Sequence, residues 1–236
     1  MHGMLRGIDG EKMSKSLGNI ISPDEMIEKH GADVLRYYMC QTNAGQDIKF
    51  SWDEAALKQR YLQILWNVHK LLINLAKEND FNPFQLSEKK KQKIEKSSSW
   101  GLEEEYMISM LHSRIKKVTE LFYSFHLDET ILPLEELYLE LSRTYIQMIR
   151  DKSSLGSVEE KEVCIYTIGS VLFECLKMFN MICPFMTEAI FLNLKEAFAF
   201  KEESISHYSW PKYEHKKINL QLEEDMVIAK DIIAST

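Results

Sequence analysis

The sequence predicts a mainly α protein, a helical bundle preceded by a short remnant of an α/β domain, and three observations predict it. Apolar residues recur at spacings of three and four through 52–78, 102–125 and 134–152, the period of an amphipathic helix. The stretch 163–182 is apolar nearly all round, as a helix in the middle of a bundle must be. Strand-like pieces are confined to residues 1–50, at 2–8 and at Ile48-Lys49-Phe50.

Residues 2–8 read as a short strand feeding an Asp9-Gly10 turn, as in a chain cut inside a larger α/β domain. The polar stretch Gly10-Glu11-Lys12-Met13-Ser14-Lys15-Ser16-Leu17-Gly18-Asn19 follows. Two ammonium groups three residues apart, the hydroxyls of Ser14 and Ser16 beside them and a loosening Gly18 make a mobile cationic finger suited to triphosphate oxygens. Ser22-Pro23-Asp24-Glu25 is a helix entrance: a hydroxyl N-cap, proline where no N–H is missed, and two carboxylates at the positive end of the dipole. This helix ends at His30-Gly31, a second spans 33–40, and Asn43-Ala44-Gly45-Gln46-Asp47 forms a loop.

The helix 52–78 is the longest. At 100° per residue, Leu57, Tyr61, Ile64, Val68, Leu71, Leu72 and Leu75 form its expected core stripe. The opposite side carries Gln59, Gln63, Trp66, Lys70, Asn74 and Lys77, with Asn67 at its edge. A tryptophan on a polar face either packs on a neighbouring helix or stacks on RNA. Residues 79–99 shift composition, with Pro83, the run Lys89-Lys90-Lys91-Gln92-Lys93 and three serines. This is a loop or short exposed helix whose charge is solvated or touches phosphate.

The helix 102–125 places Tyr106, Met107, Met110, Leu111, Val118, Leu121, Phe122 and Phe125 inside, with Arg114, Lys116 and Lys117 on its other side. A third long helix is expected over 134–152, with Leu137, Tyr138, Leu141, Tyr145 and Met148 inside. Ser157-Val158-Glu159-Glu160 opens the next helix, Cys183-Pro184 breaks it, and a shorter helix covers 185–193. A charged helix over 220–233 reads as the start of a further domain.

Composition narrows the function classes. The chain is 45% hydrophobic and 11% aromatic over 236 residues, enough for one or two domains with a real core. The longest apolar stretch is interrupted by Glu174, Lys177 and Asn180, and no secretory leader opens the sequence. A cytoplasmic protein without a membrane span is expected. The net charge of −7 requires any nucleic-acid contact to use a local basic face. The four cysteines form no C-x-x-C pair, and the seven histidines show no metal or triad spacing. No metal site is expected, and the twelve methionines fit a helical core.

Lys12-Met13-Ser14-Lys15-Ser16 is identical to the signature loop of the class I aminoacyl-tRNA synthetases, which the chain resembles over essentially its whole length. Leu17-Gly18-Asn19, Pro23 and Gly31-Ala32-Asp33-Val34-Leu35-Arg36 follow at the spacing of that family. The resemblance is to the subgroup for branched aliphatic amino acids, most to isoleucine enzymes of archaeal and eukaryotic type. It rests on Leu65-Trp66-Asn67, on Leu141-Ser142-Arg143-Thr144-Tyr145-Ile146 with Arg150, and on Cys183-Pro184-Phe185-Met186-Thr187-Glu188. Thr144 departs from the pattern, an aromatic being common there.

The resemblance implies residues 1–50 as the end of a Rossmann catalytic domain with a stem-contact segment, 51–200 as the helical anticodon-binding domain, and 201–236 as a tail opening a further segment. It implies ATP, with Mg2+, activating isoleucine for transfer to tRNA(Ile), in a cytoplasmic monomer. Lys12 and Lys15 would neutralise phosphate charge as pyrophosphate leaves, Lys15 foremost. Met13, Ser14 and Ser16 complete the implied ATP contacts, the serines by shaping or closing the loop. Trp66, Asn67, Lys70, Arg143 and Arg150 are the implied tRNA contacts, the two arginines being alternatively buried ion-pair structure. With no His-x-Gly-His motif, first Rossmann half or editing domain in these residues, the expectation is a C-terminal fragment that forms no adenylate alone, its loop disordered or loosely packed. A valyl or leucyl fragment and a free-standing helical RNA-binding module are the alternatives.

Overall fold

The computed structural model describes residues 4–8, 10–42 and 47–234; the expectations for residues 1–3, Asp9 and the loop 43–46 lie outside them, as does the Lys15 side chain. Strand β1 (Leu5–Arg6) pairs in parallel with β2 (Ile48–Lys49), Leu5 opposite Ile48. Asp47 ties the same edge, accepting from the Met4 amide at 2.9 Å and from Arg6 Nε at 2.8 Å. Those two bonds, the amide first, hold its carboxyl below the usual range.

Helix α1 (Pro23–His30) starts where its cap dictates: Ser22 Oγ accepts from Asp24 N at 3.0 Å and Pro23 occupies the first turn. Gly31, at φ +91°, joins it directly to α2 (Ala32–Cys40), a turn only glycine makes without strain. Helix α3 (Trp52–Glu78) has the expected bounds, with Ser51 capping Glu54 N at 3.3 Å. Then come α4 (Glu88–Glu95) and α5 (Leu102–Tyr123). Helices α9 (Val158–Phe179) and α10 (Pro184–Phe198) follow a capping box at Ser157/Glu160 and the Cys183-Pro184 break.

Three differences concern which face is buried; one is Met148, expected inside but 48% exposed. The stripe of α3 is rotated from the expected one: Ala55, Lys58, Leu62, Leu65, Val68, His69, Leu72, Leu75 and Ala76 are buried, whereas Leu57, Tyr61, Ile64 and Leu71 are half-buried flanks. The helix packs on α2, α10, α9 and α6 (Ile131–Glu140), so its buried arc is set by several neighbours at once. Phe125 is 85% exposed, not interior. Helix α5 ends at Tyr123 through a reverse turn in which His126 N reaches Leu121 O at 2.9 Å, with Phe125 at φ +60°.

The expected helix over 134–152 is interrupted. After α6 the backbone widens into a π-turn at Leu141–Tyr145, where Ile146 N reaches back to Leu141 O, and then continues as α7 (Ile146–Met148) and α8 (Arg150–Leu155). Widening of this kind follows tertiary demand, not local propensity. Tyr145 lies at its end, fully buried.

Beyond α10 the chain runs as a strap over the bundle: Trp210 Nε1 donates to Thr119 Oγ1 at 2.8 Å, and Glu214 N to His112 Nδ1 at 3.1 Å. Helix α11 (Leu220–Ala234) packs on α5, where Glu223 accepts from Ser109 at 2.6 Å and Ser113 at 3.0 Å and Lys230 reaches Glu140 at 2.7 Å. It is thus docked on the bundle by buried hydroxyls. Among the described residues no helix is long and apolar enough to cross a membrane.

Candidate functional site

The loop 10–19 is tied together by its own polar groups. Gly7 N donates to Glu11 O at 2.8 Å, and the backbones of Arg6 and Lys12 form an antiparallel bridge. The Asn19 side chain closes the loop: Oδ1 accepts from Ser14 N at 2.9 Å and Nδ2 donates to Lys12 O at 3.3 Å. Ser14 Oγ lies 3.1 Å from Ser16 Oγ and accepts from Leu17 N at 3.3 Å, so the two hydroxyls are engaged within the loop. Residues 15–17 form one 3-10 turn, Gly18 at φ +65° ends it, and Met13 packs against the core. Lys12 is exposed. The expectation of a loosely packed remnant therefore meets a loop with defined internal bonds, and Asn19, not singled out from sequence, is the residue that organises it.

Trp66, Asn67 and Lys70 lie together on the solvent side of α3. The Trp66 ring is half-buried, edge-on to His69 with centroids 4.6 Å apart, and Lys70 Nζ is 5.8 Å from its centre. Gln63 Nε2 donates to Asn67 Oδ1 at 3.1 Å, and Asn67 is exposed. His69 is buried behind them, its Nε2 3.1 Å from Asn193 Nδ2; burial, with the Lys70 charge adding to it, lowers its pKa to about 4. An open cleft of about 700 Å3 between α3 and α10 begins at this cluster, lined by His69, Lys70, Asn74, Lys77, Asn82 and Asn193.

Arg143, on the π-turn, stacks its guanidinium over Tyr61 of α3 at 5.2 Å. Arg143 and Arg150 are both exposed and make no ion pair among the described residues, so a buried ion-pair role does not describe them. No ring or ion-pair contact joins Arg150 to the Trp66 cluster among the described residues. Of the lysine run, Lys90 pairs with Glu162 at 2.9 Å and Lys91 with Glu88 at 2.7 Å, while Lys89 and Lys93 are exposed.

Beneath the π-turn sits a polar centre that sequence reasoning missed. Glu104, fully buried, accepts from Gly101 N at 2.8 Å, Tyr145 OH at 2.9 Å and Lys152 Nζ at 2.7 Å. Burial pushes its carboxyl up, opposed by Lys152 and the Gly101 amide. Burial also works against the Lys152 ammonium, but Glu104 and Glu103 outweigh it and hold its pKa above the usual value. A second centre links α2, α3 and α6: Lys58 pairs with Glu135, and Tyr37 OH lies 2.7 Å from Tyr138 OH. Neither centre had a signal in the expected apolar stripes, because the partners lie 41 to 101 residues apart. Among the described residues no group of three or more His, Cys, Asp or Glu side chains could hold a metal ion.

Comparison with known proteins agrees with this architecture. A family model described as the anticodon-binding domain of tRNA ligase matches residues 104–236, and one for class I tRNA synthetases of the I, L, M and V group matches residues 1–51. The chain belongs to the class I tRNA ligase family that carries this anticodon-binding domain. It is similar to the isoleucine–tRNA ligases of Pyrococcus horikoshii (33% identical over 99% of the chain), Pyrococcus abyssi (34%, 99%) and Methanothrix thermoacetophila (31%, 98%). It spans 21–22% of the length of these curated relatives. Among solved structures, LeuRS of Agrobacterium radiobacter in a ternary complex with tRNA and LeuAMS matches 92% of this chain and 24% of its own, with a TM-score of 0.65 and 17% identity. That likeness is one of fold.

Proposed function

We propose that the chain is part of an isoleucine–tRNA ligase and supplies two of its parts, the phosphate loop at Lys12–Ser16 and the helices that bind the tRNA anticodon arm. One observation carries this reading: a single chain places the lysine–serine loop ahead of an anticodon-binding bundle, in register with isoleucine–tRNA ligases over 99% of its length. In the whole enzyme, ATP with Mg2+ activates isoleucine to the adenylate and tRNA(Ile) receives it. Lys12 and Lys15 act on the triphosphate as charges that count most while pyrophosphate departs. Asn19 occupies the Ser14 amide and the Lys12 carbonyl and so holds the loop's own backbone together. Met13 anchors the loop at its base, and Ser14 and Ser16 hold its turn.

On the bundle, Trp66 offers a half-buried ring and Lys70 a nearby charge, Asn67 an exposed amide, and Arg143 and Arg150 exposed guanidinium groups with no ion pair among the described residues. This set fits an unstacked RNA loop with its phosphates. The protein acts in the cytoplasm as a monomer, with residues 1–50, 51–200 and 201–236 as its working divisions, and the chain alone forms no isoleucyl-adenylate. The test is a titration of the chain with tRNA(Ile) and with a tRNA for an unrelated amino acid, alongside ATP–pyrophosphate exchange with isoleucine. Preferential binding of tRNA(Ile) without exchange is expected. Absence of tRNA binding would return the bundle to a scaffold, and exchange by the chain alone would overturn the division of labour.

A further inference from the structure

Two motifs that neither the loop nor the RNA face uses, 31–36 and 183–188, meet in the fold although Asp33 and Cys183 are 150 residues apart. Asp33 of α2 is buried, and its Oδ2 accepts from Met186 N, in the first turn of α10, at 2.6 Å. Its own carbonyl lies 3.5 Å from the Cys183 thiol. One turn further along α2, Arg36 donates Nε to Ile182 O at 2.8 Å and Nη2 to Met181 O at 3.0 Å, just past the end of α9.

A helix start exposes unpaired N–H groups and a partial positive charge, and a helix end unpaired carbonyls and a partial negative one. Helix α2 thus offers a carboxylate to the start of α10 and a guanidinium to the carbonyls after α9, from positions three apart on one face. Thr187 Oγ1 stiffens the same corner, its one hydroxyl proton within reach of Asn180 Oδ1 at 2.8 Å and Cys183 O at 2.9 Å. The loop 10–19 enters α1 through Ile20–Ser22, and α1 packs on α2, so the seat of α2 sets where the loop stands.

We propose that Asp33 and Arg36 are positioning residues, a two-point joint that fixes α1, α2 and the loop 10–19 on the α9–α10 corner of the bundle. Its use rests on the reading above, in which loop and bundle serve one ligase; the joint itself does not. The joint makes the orientation of the phosphate loop a property of the tRNA-binding helices. A local cap on either helix would hold that helix but leave the loop unplaced.

The test is hydrogen–deuterium exchange of the chain with Arg36→Gln, Arg36→Lys and Asp33→Asn variants. In Arg36→Gln, amides of 10–30 exchange about tenfold faster or more while α5 keeps its native protection. Arg36→Lys, whose single ammonium serves one carbonyl, and Asp33→Asn, which keeps an acceptor without its charge, fall between. Binding of tRNA(Ile) stays at the native affinity in all three, which a general loss of structure would not allow. Unchanged exchange over 10–30, or equal acceleration in α5, overturns the joint. A native chain that fails to bind tRNA overturns the functional reading instead, and the exchange comparison still decides the joint.

Discussion

Removing the Lys152 ammonium tests how far the π-turn depends on the buried centre beneath it. Lys152→Met keeps most of the side-chain volume but deprives Glu104 of the one cationic partner it has among the described residues, 2.7 Å away, leaving the Gly101 amide and the Tyr145 hydroxyl. Glu104 is fully buried, and stranding a buried charge costs about 3–5 kcal/mol. That is a large share of the roughly 5–15 kcal/mol that holds a domain folded. The deficit depends on pH. Burial already pushes the Glu104 carboxyl up, so without Lys152 protonation relieves it: the loss is full above the folded pKa and shrinks as the pH falls through it. Glu104→Gln in the Lys152→Met background removes the stranded charge and should recover most of the loss. Urea unfolding followed by circular dichroism at pH 7.5 and about pH 5 measures all three variants. A Lys152→Met loss below about 1 kcal/mol at the higher pH, or no recovery in the double variant, would refute a charge held by its partners.

Trp66→Ala should weaken tRNA binding by about 1–3 kcal/mol, the range for a base stacked on an aromatic ring, with helicity unchanged; an equally large fall in helicity would return Trp66 to the core. Lys70→Ala should lower the salt dependence of binding by about one phosphate contact. His69 and His112, both lowered by burial to about 4, sit below their unfolded value of about 6.5. The unfolded chain therefore binds more protons, and stability present above pH 6.5 is lost as the pH falls towards 4, by up to about 1.4 kcal/mol per pH unit for each ring. Asp33 and Glu104, pushed up by burial, work the opposite way, so His69→Gln against the native chain isolates the histidine contribution; equal slopes would count against it. Asn19→Ala should speed exchange at the Ser14 amide while leaving α1 protected, and an unchanged rate would remove Asn19 from its organising role.

The sequence by itself determined where several helices begin. Ser22, Ser51 and Ser157 cap through bonds two or three residues long, and such signals are local enough to be read without the fold. It also determined the loop, because Lys12 to Ser16 owes its chemistry to the order of its residues. Tertiary structure decided what faces what. Lys58 reads as a surface lysine until Glu135, 77 residues on, takes its charge, and the stripe of α3 turns because several neighbours share that helix. Tyr145 and Lys152 converge on Glu104 from beyond a π-turn that no local periodicity announces, and Arg36 reaches carbonyls 145 and 146 residues away. A capped helix start is fixed by neighbours in sequence, whereas a buried charge or a joint between segments is fixed by partners that only the packed chain brings within hydrogen-bond reach.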